Sequence, residues 1–313
     1  MTLLVTADAH SDLDRSFLGG LTRSAEKAEH YRIDPYFRLG AQHVRAEQAH
    51  AYTFLVLKPD AVAGRRCEPA LDAIRAHGFD LSAVHLVTFT PLLTREIWRY
   101  QFNIASWDRA DVVDLLLPAN ASLLVVLKDR LWQPGGLPAS CRLASLKGAA
   151  DPGSRGPNSL RTLLSGPTTL FNFLHTADEP ADVVRELALF GLAGGHSEAL
   201  PLENGPAEDV ELRLREALDG LYTACPSHDL DAGASLRRLG AHRNPAVAAE
   251  ARAQLDGDGS GGWRALAAAA GTAVPADMLW DLLAVATAEI DCNVPGLSPV
   301  LPTVPASLWQ TSD

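Results

Sequence analysis

No stretch of this sequence approaches the roughly 20 consecutive apolar residues that a membrane-crossing helix requires, so no membrane partner is expected. The first ten residues, Met1 to His10, lack both a basic opening and a long apolar run, and a cytoplasmic protein without a secretory leader is expected. Cysteine is scarce. Cys67, Cys141, Cys225 and Cys292 lie far apart, with neither zinc-ligand spacing nor a disulfide framework, and all four are expected to be reduced. The 10 histidines show no metal-ligand spacing, so no metal site built from protein ligands is expected. No Gly-x-x-x-x-Gly-Lys-Ser/Thr stretch occurs, which excludes a P-loop enzyme. Lysine is missing from Glu198 onward, where 7 Arg stand against 17 Asp or Glu for a net charge of −10. The whole chain carries −11, so the remainder is close to neutral. Such an acidic region disfavours nucleic acid as a partner and favours solubility or a basic protein partner.

What is present is ordinary for a globular protein: 313 residues, 47% apolar and 21% charged. That length calls for one domain with large additions or for two domains. Heavy use of Ala, Leu, Arg and Gly suggests a GC-rich bacterial source. Residues 1–50 mix polar helix-like sequence from Asp12 to His30 with an aromatic segment, Tyr31 to Phe37. From Ala51 the pattern becomes regular. Strands are expected at Thr53–Leu57, Leu81–Phe89, Ser122–Lys128 and Thr168–Asn172. Helices are expected at Cys67–His77, Thr94–Phe102, Arg109–Leu117 and around Pro138–Leu146, with a Gly/Pro/Ser-rich loop from Gly148 to Pro157. This order is that of an α+β, ferredoxin-like (split βαβ) antiparallel sheet with helices on its faces. Past a connector over residues 191–206, a mainly helical C-terminal extension follows, with helices at Asp209–Thr223, Ser235–Leu255, Trp263–Ala270 and Met278–Ile290. From Asn293 the tail is Pro-rich and extended. Three regions result: 1–50, 51–197 and 198–313. Asp256 to Gly262 imitates the first half of an EF-hand loop, but Ala267 stands where a bidentate Glu is needed, so a flexible linker is the better reading.

The densest chemistry lies in Asn172-Phe-Leu-His175 and the helix after it. Thr176 followed by Glu179 has capping-box spacing. Val183, Val184, Leu187 and Phe190 give one apolar helical face. His175 is therefore expected between a strand end and a helix start, held yet reachable, with Glu186 eleven residues on. A second stretch, Thr53-Phe-Leu-Val-Leu-Lys58-Pro59-Asp60, ends a strand in Lys-Pro-Asp.

Together, Lys58-Pro-Asp, Asn172-x-x-His175 and Glu186 resemble the nucleoside diphosphate kinase family over about Tyr52 to Phe190. The resemblance implies a ferredoxin-like core and a histidine that carries a phosphoryl group from a nucleoside triphosphate such as ATP to an acceptor. On that reading His175 is the nucleophile and Glu186 orients it. Lys58 and Tyr100 stabilise the group in transfer, Arg161 binds phosphate, and Asn172 holds the ribose or phosphate end. Arg142 is a further phosphate ligand and Trp107 a platform for the base. Mg²⁺ is expected on the nucleotide phosphates, with few protein ligands. A homo-oligomer is implied as well, since the family forms hexamers or tetramers, and the C-terminal region is open to a protein partner.

The chain departs from the family pattern in places. Ala177 replaces a serine two residues after the histidine. Ala150 replaces a threonine of the phosphate-binding loop. The segment between Arg161 and Asn172 is one residue longer. Two readings follow: a phosphotransferase, slower or retuned to a specialised acceptor, or a nucleotide-binding regulatory module that has lost turnover.

Overall fold

The computed structural model describes residues 16–259, 261–271 and 273–310. The part of the expected Asp12–His30 helix that falls at 12–15, the opening decapeptide and Ser260 of the Asp/Gly linker lie outside them. Among the described residues no helix is long and apolar enough to cross a membrane.

Two runs rich in β-branched and leucine side chains make the centre of the sheet. β1 (Tyr52–Leu57) is buried along its whole length, and β3 (Ser122–Asp129) along all but one position. Neither strand alternates polar with apolar, because helices or loops cover both faces. β2 (Phe79–Val87) pairs with β3, and the short β4 (Leu174–Thr176) with β1, all antiparallel. The order β2-β3-β1-β4 is the ferredoxin-like arrangement, a four-stranded antiparallel sheet with helices and further helices beyond it. β2 carries a bulge between Leu81 and Ala83. There the side chain and backbone N–H of Asn204 reach Val84 O and Ser82 O, which blunts an otherwise open sheet edge.

The helices between these strands start and stop where their end residues dictate. In chain order, short helices α1 (Ala25–Ile33), α2 (Pro35–Gly40), α3 (Ala46–Ala51) and α4 (Pro59–Ala63) precede α5 (Cys67–Ala76). α5 buries Cys67, Ala70, Leu71 and Ile74 at helical spacing and ends before Gly78, whose φ of +85° suits glycine. α6 (Pro91–Ile97) is capped by Thr90, and α7 (Trp107–Leu116) by Ser106. α8 (Ala139–Lys147) and α9 (Leu160–Leu163) flank the loop at 148–159. α10 (Pro180–Ala193) is buried from Pro180 through Gly191.

Four expectations are corrected. Thr168–Asn172 is a loop, and the strand lies after it, because Phe173 at φ +71° breaks the extended run. The helix after His175 is capped by Glu179 reciprocally with Asp182, not by Thr176. Pro180 fixes N1 and holds the residue before it extended. The helix read at Ser235–Leu255 is two, α12 (Ala232–Gly240) and α13 (Pro245–Leu255), divided where Asn244 caps a fresh start at Pro245. The helix expected over Thr94–Phe102 also starts earlier and ends at Ile97.

The N-terminal segment wraps α10. Gly40 allows the closest approach, since a Cβ there would meet Val184 O at 2.0 Å. Buried polar contacts fix the docking: Arg185 to Asp34 at 2.8 Å, Lys27 to Glu179 and Asp182 at 2.9 and 3.0 Å, and Tyr31 to Asp182 at 2.6 Å. In the C-terminal region α11 (Ala207–Ala224) leans on β2, and Arg75 of α5 reaches Glu211 at 2.7 Å. α14 (Gly262–Ala270) and α15 (Leu279–Glu289) complete the helices, and Arg264 ties α14 to Asp108 and Asp111 of α7. One continuous apolar core runs from Leu18 to Leu301.

Candidate active site

Lys58-Pro59-Asp60 ends β1 and folds the next loop onto itself. Asp60 Oδ2 accepts the Phe173 N–H at 2.8 Å, and the Lys58 N–H reaches Phe173 O at 2.9 Å. The carboxylate therefore pins the chain just ahead of β4 and sets where His175 emerges. The Lys58 ammonium donates to Leu170 O at 2.8 Å and lies 3.5 Å from Asp60 Oδ1. Burial lowers its pKa, an effect that Asp60 opposes.

His175 projects from β4 with its side chain 13% exposed. Its Nε2 lies 2.6 Å from Glu186 Oε2. The indole of Trp98 stands edge-on to the imidazole with ring centres 5.0 Å apart, and Phe54 lies on another side at 6.1 Å. Nδ1 has no hydrogen-bond partner among the described residues. A carboxylate on one ring nitrogen settles the tautomer and leaves the other nitrogen's lone pair available.

Two cavities of about 140 Å³ each share Trp98, Arg161 and His175 in their walls. The first has a polar end at Lys58, Arg161, Asn172 and His175, and an apolar end at Phe102, Val113, Leu116 and Leu170. Arg161 donates to Gly148 O and Leu174 O, both at 2.8 Å, and to Asn172 Oδ1 at 3.3 Å. Its buried Nε has no partner among the described residues. Burial, aided by Arg155, brings the Arg161 pKa down to about 10, so the group stays charged at neutral pH. The second cavity is polar, lined by Lys27, Lys147, Thr176, Asp178, Glu186 and Thr303 among others. Lys147 lies 2.7 Å from Asp178. Although burial works in the opposite direction, Lys147 holds the Asp178 carboxyl down to about 2.

The structure thus gathers His175, Glu186, Lys58, Arg161 and Asn172 at one place. It does not bring in the other three residues expected there. Tyr100 donates to Asp34 Oδ2 at 3.1 Å and packs on Tyr31 with ring centres 5.8 Å apart. Burial and Asp34 push its hydroxyl up to about 12. Arg142 is engaged at the other end of β3, on Asp129 at 2.5 and 2.6 Å and over the Phe79 ring at 3.9 Å. Trp107 opens α7 with 86% exposure and lines neither cavity. In their stead stand Trp98 and Phe102, and Arg109 on the first turn of α7. α6 stops at Ile97, so helical spacing does not carry past it, and two residues turn Tyr100 away from the site. Arg109 had no motif to mark it.

Ala150 lines the first cavity, whereas Ala177 is fully buried. Among the described residues no three His, Cys, Asp or Glu side chains converge as metal ligands.

Residues 51–191 match the family model "Nucleoside diphosphate kinase". No curated protein matches the chain. Among solved structures, one similar to this chain is the apo nucleoside diphosphate kinase of Encephalitozoon cuniculi, at 16% identity and TM-score 0.40, covering 52% of this chain and 98% of the other. Another is the Aquifex aeolicus nucleoside diphosphate kinase, at 22% identity and TM-score 0.36, covering 44% and 92%. A nucleoside diphosphate kinase family protein of Babesia bovis gives 16% identity and TM-score 0.38, covering 51% and 98%.

Proposed function

We propose that this chain, whose residues 51–191 form a nucleoside diphosphate kinase family domain, moves the γ-phosphoryl group of a nucleoside triphosphate through His175 to a nucleoside diphosphate or a related specialised acceptor. The observation that carries the reading is the pairing of His175 with Glu186 at 2.6 Å, which leaves Nδ1 without a partner among the described residues, in a cavity His175 shares with Lys58, Arg161 and Asn172.

Phosphoryl transfer asks chiefly for positioning and for cations where charge spreads. The Nδ1 lone pair attacks the γ-phosphorus, the bond from phosphorus to the β,γ-bridging oxygen breaks, and the nucleoside diphosphate leaves with that oxygen. Nε2 keeps its proton throughout, hydrogen-bonded to Glu186, whose charge supports the ring as it loses electron density. In the second half a terminal oxygen of the acceptor attacks the same phosphorus, the N–P bond breaks, and neutral His175 returns. Lys58, Arg161 and Arg109 supply positive charge along the cavity. Mg²⁺, riding on the nucleotide phosphates, would supply further neutralisation there.

The decisive experiment incubates the wild type and His175→Ala with Mg²⁺ and γ-labelled ATP. Acid-labile, base-stable label on the wild type alone is expected. No label on either protein, with nucleotide still bound, would shift the reading to a nucleotide-binding regulatory module. One feature favours that second reading: Lys58 and Arg161 already spend donors on backbone carbonyls, and Ala150 contributes none.

A further inference from the structure

The extended C-terminal tail runs along the arm beside this site and reaches the second cavity at Pro302 and Thr303. After α15, Asp291 O accepts from Ser106 Oγ at 2.6 Å, and Cys292 O from the Ser106 N–H at 3.1 Å. The Val294 N–H reaches Ile104 O at 2.8 Å, closing an antiparallel bridge between Ala105 and Asn293. Asn103 then holds Ser298 O and the Val300 N–H, and the Leu301 N–H reaches Tyr100 O. The tail thereby stitches the arm of residues 98–109, which brings Trp98, Phe102 and Arg109 to the first cavity.

Beyond the arm the tail touches the opposite wall. Pro302 and Thr303 line the second cavity beside His175 and Glu186, and Thr303 donates to Asp178 at 3.3 Å. The end is moored by Trp309, which is buried. Its indole N–H donates to Glu179 at 2.8 Å, and Arg23 covers its ring at 4.2 Å.

Arg109 couples the tail to the cavity. It lines the first cavity, yet its Nη1 donates to Asn293 Oδ1 at 2.6 Å and its buried Nε has no partner among the described residues. The amide oxygen occupies a donor suited to a phosphate oxygen. The cavity, at about 140 Å³, is also well below the roughly 300–1,000 Å³ typical of small-molecule sites.

We propose that residues 291–303 are a strap that holds the arm closed over the site, and that a nucleotide is admitted when the Asn293–Arg109 contact opens. The inference rests on the phosphotransferase reading for the identity of its ligand, and on the geometry alone for the strap.

The test uses the full chain as wild type, Asn293→Ala and Trp309→Ala. It follows hydrogen exchange of the arm amides and stopped-flow binding of a fluorescent ADP with Mg²⁺. Both variants are expected to exchange faster in the arm, and nucleotide association and dissociation to rise about tenfold, the worth of one charge-assisted hydrogen bond. Unchanged arm protection in both variants overturns the strap. Faster exchange with unchanged binding rates overturns its role as a gate. Faster exchange with no nucleotide bound by any of the three proteins supports the strap and overturns the phosphotransferase reading. If Trp309→Ala loosens β1 and β3 as well, Asn293→Ala, which touches only the arm, decides.

Discussion

Glu186 reaches back from the second turn of α10 to His175 on β4, with Oε2 and Nε2 2.6 Å apart. Strand and helix are joined only by residues 177–179, so the pair stays in contact without a long loop. Glu186→Gln keeps the shape and removes the charge that supports the ring. The expected result is a fall in kcat of about 10- to 100-fold with KM little changed, since the effect falls on the transition state. Steady-state kinetics of both variables checks it. Equal losses in kcat and nucleotide affinity would contradict an orienting role.

Trp98 and Tyr100 sit two residues apart and serve different ends. Trp98→Ala removes the ring that packs edge-on against His175 and is expected to lower the rate of phosphohistidine formation at least about tenfold. Tyr100→Phe loses the hydrogen bond to Asp34, costing on the order of 1 kcal/mol of stability, with turnover within about twofold of wild type. Rapid-quench labelling and denaturant titration on each variant separate the two. A large loss of labelling in Tyr100→Phe would restore the role expected from sequence.

The core was legible because its signals are local. Phe54–Leu57 of β1 and Leu123–Leu127 of β3 are unbroken apolar runs, and Gly78 ends α5 where a positive φ is needed. Motif spacing singles out Lys58, Asn172, His175 and Glu186, and the fold places these side chains together. Other features depend on tertiary contacts that no periodicity encodes. Tyr100 turns to Asp34 because the N-terminal segment docks there, and Arg142 finds Asp129 across the end of β3. Phe173 takes φ +71° because Asp60 and Lys58 seize its backbone. The tail after Asn293 has no pattern beyond proline, and its contact with Arg109 through Asn293 is visible only in the fold.

Asp178 gives the site an acid limit. Held by Lys147, its carboxyl titrates near 2 in the folded chain, below its ordinary 3.8. A depressed carboxyl contributes stability that is present above the unfolded value and disappears as pH falls through the folded one. The window therefore runs from about 4 down to about 2, and the contribution is on the order of 1–2 kcal/mol. Urea unfolding at pH 5 and pH 2.5 should show a smaller acid-induced loss in Asp178→Asn than in the wild type. Identical losses would mean that Lys147 does not hold the carboxylate.

The two alanines that depart from the family pattern occupy different surroundings, and restoring each hydroxyl should therefore differ in sign. Ala150 faces the first cavity beside Arg161, so Ala150→Thr can offer a donor to a phosphate at little structural cost. About a tenfold gain in kcat/KM for phosphoryl transfer is expected, the worth of roughly 1.4 kcal/mol. Ala177 is fully buried and lines neither cavity. Ala177→Ser adds a hydroxyl to a closed space, with an expected cost of about 1–3 kcal/mol of stability if the group is left unpaired and no gain in rate. Measuring transfer and unfolding on both variants checks the contrast. A rate gain from Ala177→Ser instead would mean that the end of β4 opens towards the phosphates during turnover.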